Sequence, residues 1–229
     1  MKNLMTYIHP SHEFTENYVR LVKVQIDNSL YTGWKAKDIL LITNFEYSYR
    51  NINAIVVPDE LFCNHRKKAS KINVICYMLD HHMIDDVCWF HDFDAYQVNS
   101  FPKEILCGYD AAFTDYGFNT MWNTGSFFFT LNAKDIFELI RKKMYVKLVN
   151  EEIALKILTD RNVENINSRY LKLNNTFNLG RMRHNELTYG KADKPIKVFH
   201  FHPRMTDLYQ EVKPLLPRHL IEIIKNHGY

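Results

Sequence analysis

This chain contains no C-x-x-C pair, no apolar run approaching the length of about 18 residues that marks a membrane helix, and no excess of one charge. Each absence excludes something. Cys63, Cys76, Cys88 and Cys107 lack the spacing of a zinc ribbon, and four cysteines in 229 residues are too sparse for a disulfide framework. They are expected to be reduced and mostly buried. The opening segment, MKNLMTYIHPSHEF, is too short and too polar after Ile8 to serve as a signal peptide. The expectation is a soluble, cytoplasmic protein without a membrane span. A net charge of +3, from 29 basic and 26 acidic residues, gives no argument for nucleic acid, yet tolerates an anionic small molecule. Repeats and low-complexity segments are also missing.

What is present suits one globular domain spanning 1–229. Hydrophobic residues make up 46% and aromatics 14%, ample for a core. Short apolar runs predict strands at Leu4–Ile8, Ile39–Thr43, Ala54–Val57, Val87–Phe90, Ala111–Thr114, Ser126–Leu131 and Lys197–Phe201. Periodic segments predict helices over Glu16–Leu30, Ser70–His82, Ala133–Leu148, Glu151–Leu158 and Pro217–Asn226, with Thr15, Ser70 and Asn150 as cap candidates of the first, second and fourth. Strands alternating with helices predict an α/β fold with a mostly parallel central sheet, whose ligands bind beyond the carboxyl ends of the strands.

The run Cys88-Trp89-Phe90-His91-Asp92-Phe93-Asp94 ends a buried-looking strand in two carboxylates. With 14 aspartates in 229 residues a D-x-D arises by chance about 0.9 times, so position carries the signal rather than the motif. In an extended segment residues i and i+2 share a side, so Asp92 and Asp94 converge, and a divalent cation relieves their repulsion. A capped surface turn is the competing reading. A late strand carries His200 and His202 on one face, where imidazole would favour manganese over magnesium, or simply form hydrogen-bonded core pairs. Asn123-Thr124-Gly125 precedes a predicted strand, where glycine lets a ligand approach the backbone. Glu151 and Glu152 open a helix, favourable with its dipole and equally suited to supply a general base. The basic run Asn64-His65-Arg66-Lys67-Lys68 and nearby Lys71 can face a diphosphate or only solvent. Tyr116, Phe118 and Trp122 could stack on a ligand or belong to the core.

Together these pieces, in this order along most of the chain, resemble the GT-A glycosyltransferases, which use nucleotide-sugar donors. The runs Ile26-Asp27-Asn28-Ser29-Leu30, Thr43-Asn44-Phe45 and His91-Asp92-Phe93-Asp94-Ala95 are similar, more narrowly, to the small glycosyltransferase domain of large algal viruses (chloroviruses), linked to capsid glycans and rhamnose transfer. The resemblance implies a single GT-A (Rossmann-like) domain, with a nucleotide-binding part over about 1–100 and an acceptor-side part over about 101–229. It implies Mn²⁺ or Mg²⁺ on Asp94 and His200, with Asp92 on the ribose or on the metal through water and His202 as substitute ligand. Thr6 and Tyr7 would face the base, and Asn123 and Gly125 would line the donor-sugar pocket. Glu151 or Glu152 would be the base of an inverting transfer from a UDP-sugar, UDP-rhamnose or UDP-glucose foremost, to a glycan acceptor. A nucleotidyltransferase is the alternative, disfavoured because IHPSHEF after Tyr7 lacks a glycine-rich phosphate loop; a non-catalytic sugar-binding derivative would have lost the metal site, which this chain keeps.

Overall fold

A computed structural model describes residues 1–117, 119–180, 185–201, 209–210 and 212–229, with the backbone alone for 185–187. The elements in chain order are β1 (Lys2–Tyr7), α1 (Glu16–Tyr31), β2 (Ile39–Thr43), the hairpin β3 (Ser48–Tyr49) and β4 (Ile52–Asn53), β5 (Ile55–Val56), α2 (Ser70–Asp80), β6 (Cys88–His91), β7 (Ala95–Gln97), β8 (Ala111–Asp115), β9 (Trp122–Phe129), α3 (Lys134–Lys147), α4 (Glu151–Asp160), β10 (Tyr170–Leu173), α5 (Asn185–Lys191), β11 (Val198–His200) and α6 (Arg218–Asn226). Seven strands form one sheet in the order β10-β8-β9-β6-β1-β2-β5. Only β9 runs against its neighbours β6 and β8; the other pairings are parallel. The sheet therefore crosses both halves of the chain. β7 and β11 form a small antiparallel sheet of their own.

Both faces of the sheet are covered. Alternation sends Leu4 of β1 toward α2, α3 and α4, and Met5 toward α1 and α6. The run Phe127-Phe128-Phe129 divides the same way: the outer two pack with Phe113 and Phe137, and Phe128 packs with Trp89 on the other face. Burying each of these rings contributes about 1.5–3 kcal/mol. Helix α2 is buried on nearly all sides, including Lys71 and Asn73, which prevents a simple inner-face reading of Ile72, Ile75, Cys76 and Leu79. Cys63, Cys76 and Cys88 are buried free thiols and Cys107 is an exposed one.

The sequence-based boundaries hold within a few residues, with three corrections. The helix over 70–80 is capped at Ala69 rather than Ser70, whose hydroxyl instead accepts from the Cys63 amide at 2.9 Å. Thr15 occupies the cap position of α1 without a side-chain hydrogen bond. Asn123-Thr124-Gly125 lies inside β9 rather than before it, because pairing with β6 and β8 outweighs the weak strand preference of asparagine and glycine. Asn150 caps α4 as expected, accepting from the Ile153 amide.

Behind the end of β6 lies a buried polar knot. Asn3, Gln25 and His91 are each fully buried. The Gln25 amide donates to His91 Nδ1 at 3.1 Å, and His91 Nε2 donates to Asn3 Oδ1. Burial drives the His91 pKa down to about 3 from 6.5. The unfolded chain thus binds a proton that the folded chain refuses, so stability is complete above about pH 6.5 and falls as pH drops toward 3. Urea unfolding should show about 2 kcal/mol lost between pH 7 and pH 5 from this group. The loss should be smaller by that amount in His91→Asn; equal pH slopes in the two proteins would refute the assignment.

Candidate active site

The ends of β1 and β6, the amino-terminal half of β9 and the first turn of α4 meet at one edge of the sheet. β6 delivers Asp92 to that edge, where its amide donates to Gly125 O at 2.8 Å. The chain then turns rather than continuing extended: Ala95 N donates to Asp92 O at 3.0 Å, closing a turn around Phe93 and Asp94. The expected convergence of the two aspartates occurs, but through this turn instead of strand alternation. Phe93 is buried in an aromatic group with Tyr7, Phe14 and Tyr18, which fixes the turn and directs both carboxylates away from the core.

β7 begins at the next residue, and its antiparallel register places Ala95 opposite His200. Phe201 N donates to Asp94 O at 2.8 Å, continuing the ladder. His200 thereby reaches the aspartates from a segment more than one hundred residues away. Ligand atoms of Asp92, Asp94 and His200 lie within 4.8 Å of one another. In the neutral ring Nδ1–H donates to Asn178 Oδ1 at 3.0 Å, so Nε2 carries the lone pair that faces Asp94 Oδ1 at 3.4 Å. A ring lone pair opposite a carboxylate suits a shared cation, and two oxygens with one imidazole suit Mn²⁺ better than Mg²⁺. His202 and Phe118 lie outside the described residues.

Gly125 has a specific reason to be glycine. A Cβ there would stand 2.5 Å from His200 Nδ1 and 2.8 Å from Nε2. The ring occupies the space that a side chain would fill. The expected role of Gly125 beside the donor sugar thus comes with a second one, housing the imidazole. Asn178, which sequence reasoning missed, is 1% exposed and also donates to Asn123 O at 2.9 Å. An asparagine in a polar loop gives no sequence signal for this.

Lys71 projects from the first turn of α2 into the wall of the site and is 5% exposed. Its ammonium reaches Thr124 O at 2.9 Å, Glu151 Oε1 at 3.1 Å and Asp92 Oδ1 at 3.2 Å. Burial opposes its charge, but Asp92, Glu151 and Glu152 outweigh that and hold its pKa above the ordinary lysine range. Reciprocally, burial pushes Glu151 up, but Lys71, its own helix amide and the Thr124 hydroxyl together hold it below the usual carboxylate range. Glu152 differs. Burial and the neighbouring Glu151 charge raise its pKa despite Lys71. It accepts from the Tyr116 hydroxyl at 2.9 Å and from the Thr124 amide at 3.2 Å.

Two cavities flank this cluster. One, of 310 Å³, is lined by Thr6, Tyr7, Tyr18, Asp92 and Asp94. The other, of 370 Å³, is lined by Asn123, Gly125, Glu151, Glu152, Tyr116 and His200. Every predicted catalytic, nucleotide, donor-sugar and metal residue within the described part of the chain lines at least one of the two, Lys71 and Asp92 both. Trp122 does not: it is buried and donates to Thr159 Oγ1 at 3.0 Å, as a core residue.

A largely parallel sheet interrupted by one reversed strand, with an Asp-x-Asp turn at its carboxyl edge, is the GT-A glycosyltransferase fold. Solved structures agree. The chain is similar to a glycosyltransferase involved in the glycosylation of the major capsid of PBCV-1, with TM-score 0.57 and 12% identity over 93% of this chain and 100% of that one. It is similar to the galactosyltransferase LgtC, solved with donor and acceptor sugar analogues, with TM-score 0.58 and 14% identity over 97% and 100%. For the glycosyltransferase GlyE of Streptococcus pneumoniae TIGR4 the values are 0.57 and 10%, over 96% and 62%. No protein-family model matches the sequence, and sequence comparison with curated proteins gives no match. Among the described residues, no helix is long and apolar enough to cross a membrane.

The Gly125 packing generates a direct test. Gly125→Ala should displace the His200 ring and weaken Mn²⁺ binding by about tenfold or more, as should His200→Ala, while the circular dichroism spectrum stays native. Unchanged Mn²⁺ affinity in a calorimetric titration would contradict a ligand role for His200.

Proposed function

We propose that this chain transfers a sugar from a nucleoside diphosphate donor, UDP foremost, to a hydroxyl of a glycan, with Mn²⁺ bound by Asp92, Asp94 and His200. The observation that carries this is the convergence of those three residues, within 4.8 Å, beside two cavities at the carboxyl edge of a glycosyltransferase fold. When bound, the metal ion supplies charge that stabilises the departing diphosphate. Thr6, Tyr7 and Tyr18 receive the base in the first cavity, within the first hundred residues. Asn123 and Gly125 receive the sugar in the second, where the later part of the chain contributes most of the wall. The bond from the anomeric carbon to the diphosphate oxygen breaks, and its electron pair stays on that oxygen. The acceptor oxygen forms the new bond.

Of the two glutamates, Glu152 is the better base. Both line the second cavity, but Glu151 is nearly fully buried and ion-paired with Lys71, which lowers its pKa, whereas Glu152 is more accessible and has a raised pKa. A base acting opposite the departing diphosphate gives inversion. UDP-rhamnose and UDP-glucose are the first donors to screen, and the likeness to LgtC adds UDP-galactose. The likeness to the PBCV-1 capsid enzyme favours a role in viral glycan assembly.

Calorimetry with UDP should show binding that depends on Mn²⁺, and Asp94→Asn should abolish metal-dependent transfer with the fold intact; full activity in that variant would remove the site. Glu152→Gln should lower turnover by about 10²–10⁴-fold with UDP affinity unchanged. It should also erase an acid limb of the rate profile, which lies above pH 4.5 because the Glu152 pKa is raised and its base form is lost as pH falls. Glu151→Gln should instead cost about 3 kcal/mol of stability, since it leaves the buried Lys71 charge poorly compensated. The reverse pattern would exchange the two roles, and a product of retained configuration by NMR would exclude Glu152 as an inverting base.

A further inference from the structure

Among the described residues, the two cavities share four lining residues: Lys67, Lys68, Lys71 and Asp92. A donor with its base in one cavity and its sugar in the other must place its diphosphate at that junction. Lys71 cannot serve it well. An ammonium has three N–H donors, and those of Lys71 face Thr124 O, Asp92 and Glu151. Charge points the same way. Four carboxylates, Asp92, Asp94, Glu151 and Glu152, line the two cavities with one buried lysine, and a bound divalent ion would still leave the ionised cluster slightly negative. A diphosphate brings further negative charge and gains one more as the sugar leaves. Additional cations are needed at the junction.

Among the described residues, Lys67 and Lys68 are the further cations that line both cavities. Both are exposed, both line both cavities, and among the described residues neither forms an ion pair within 4.0 Å. Their backbone is nonetheless held in place. They lie in a short 3-10 turn closed by Ala69 N donating to Arg66 O at 2.8 Å and leading directly into the buried helix α2. Arg66 lines only the second cavity.

We infer that Lys67 and Lys68 form the diphosphate-binding clamp of the donor site, holding the two phosphates between the cavities and offsetting the charge that develops on the leaving oxygen. This assignment rests on the nucleotide-sugar reading above. Lys71 then acts as a positioning residue for Asp92 and Glu151, not as a phosphate ligand.

The test compares wild type, Lys67→Gln, Lys68→Gln and the double variant by calorimetry in Mn²⁺, using UDP and uridine as probes, with inorganic pyrophosphate in Mg²⁺ as a third. Each substitution should weaken UDP by about tenfold, with roughly additive losses in the double variant. Uridine affinity should change less than about twofold, and the salt dependence of UDP binding should become shallower. Pyrophosphate binding should weaken in parallel. UDP affinity unchanged in the double variant would overturn the clamp while leaving the donor reading standing. Equal losses for uridine and UDP would also overturn it, because the lysines would then act on the nucleoside or the fold. Pyrophosphate weakened by the substitutions, in a wild type that does not bind UDP, would support the clamp and reject the donor reading. A wild type that binds none of the three probes would reject both.

Discussion

The buried ammonium of Lys71 is the interaction on which the rest of the site depends. Four carboxylates gather at one edge of the sheet, and without a buried cation their mutual repulsion would force them apart or protonate them. Lys71 bridges three elements at once: Asp92 after β6, the Thr124 carbonyl in β9, and Glu151 at the start of α4. It comes from α2, which is buried on nearly every side. The position of the charge is therefore set by core packing and not by the flexibility of a long side chain. A site assembled this way can hold like charges close together while keeping their geometry.

A second constraint runs through His200. Its ring is placed by the pairing of β7 with β11, oriented by Asn178 and accommodated by the missing side chain of Gly125. Asn178 also donates to the carbonyl of Asn123. The segment Asn123-Thr124-Gly125 is thus engaged from both sides, with Lys71 and the glutamates on one and His200 and Asn178 on the other. Three consecutive small or polar residues carry this: Asn123 and Thr124 offer their carbonyls, Thr124 also its hydroxyl to Glu151, and Gly125 the absence of bulk. Longer side chains at these positions would occupy the volume where the two sets of partners meet.

Much of this was legible in the sequence, and the reasons are local. The end of an apolar strand in Asp-x-Asp, a glycine near an Asn-Thr pair, and an acidic pair after a capping asparagine all announce themselves within a few residues. The covered parallel sheet followed from unalternating runs such as Ile39–Thr43. What remained hidden depends on distant pairings. β7 is three residues long, Ala95–Gln97, and exists because Val198–His200 pairs with it. β10 reads Tyr-Leu-Lys-Leu amid asparagines and is defined by its partner β8. The placement of Asn123–Gly125 within β9 reflects two neighbouring strands that override its own preference. The commitment of Lys71 to three acceptors could not be read from a lysine beside a basic run, which suggested a phosphate ligand just as strongly.

The different environments of Glu151 and Glu152 follow from helix geometry. Adjacent residues on a helix point about 100° apart, so only one of them can sit directly over Lys71. The phase is fixed by Asn150, whose side chain caps the Ile153 amide, and by Ala154, Leu155 and Leu158, which are buried on the inner face of α4. Those contacts turn Glu151 inward, where it is nearly fully buried against the ammonium, and leave Glu152 partly accessible on the cavity wall beside Tyr116. Opposed pKa directions in neighbouring carboxylates are then a consequence of where α4 begins and which face it buries. Because the acidic pair also favours the positive end of the helix, the same two residues help start α4, hold Lys71 in place and present a carboxylate of raised pKa to the second cavity. A one-residue shift in the start of α4 would exchange their environments without changing the composition of the site, so the cap at Asn150 is as much a part of the chemistry as the carboxylates it orients.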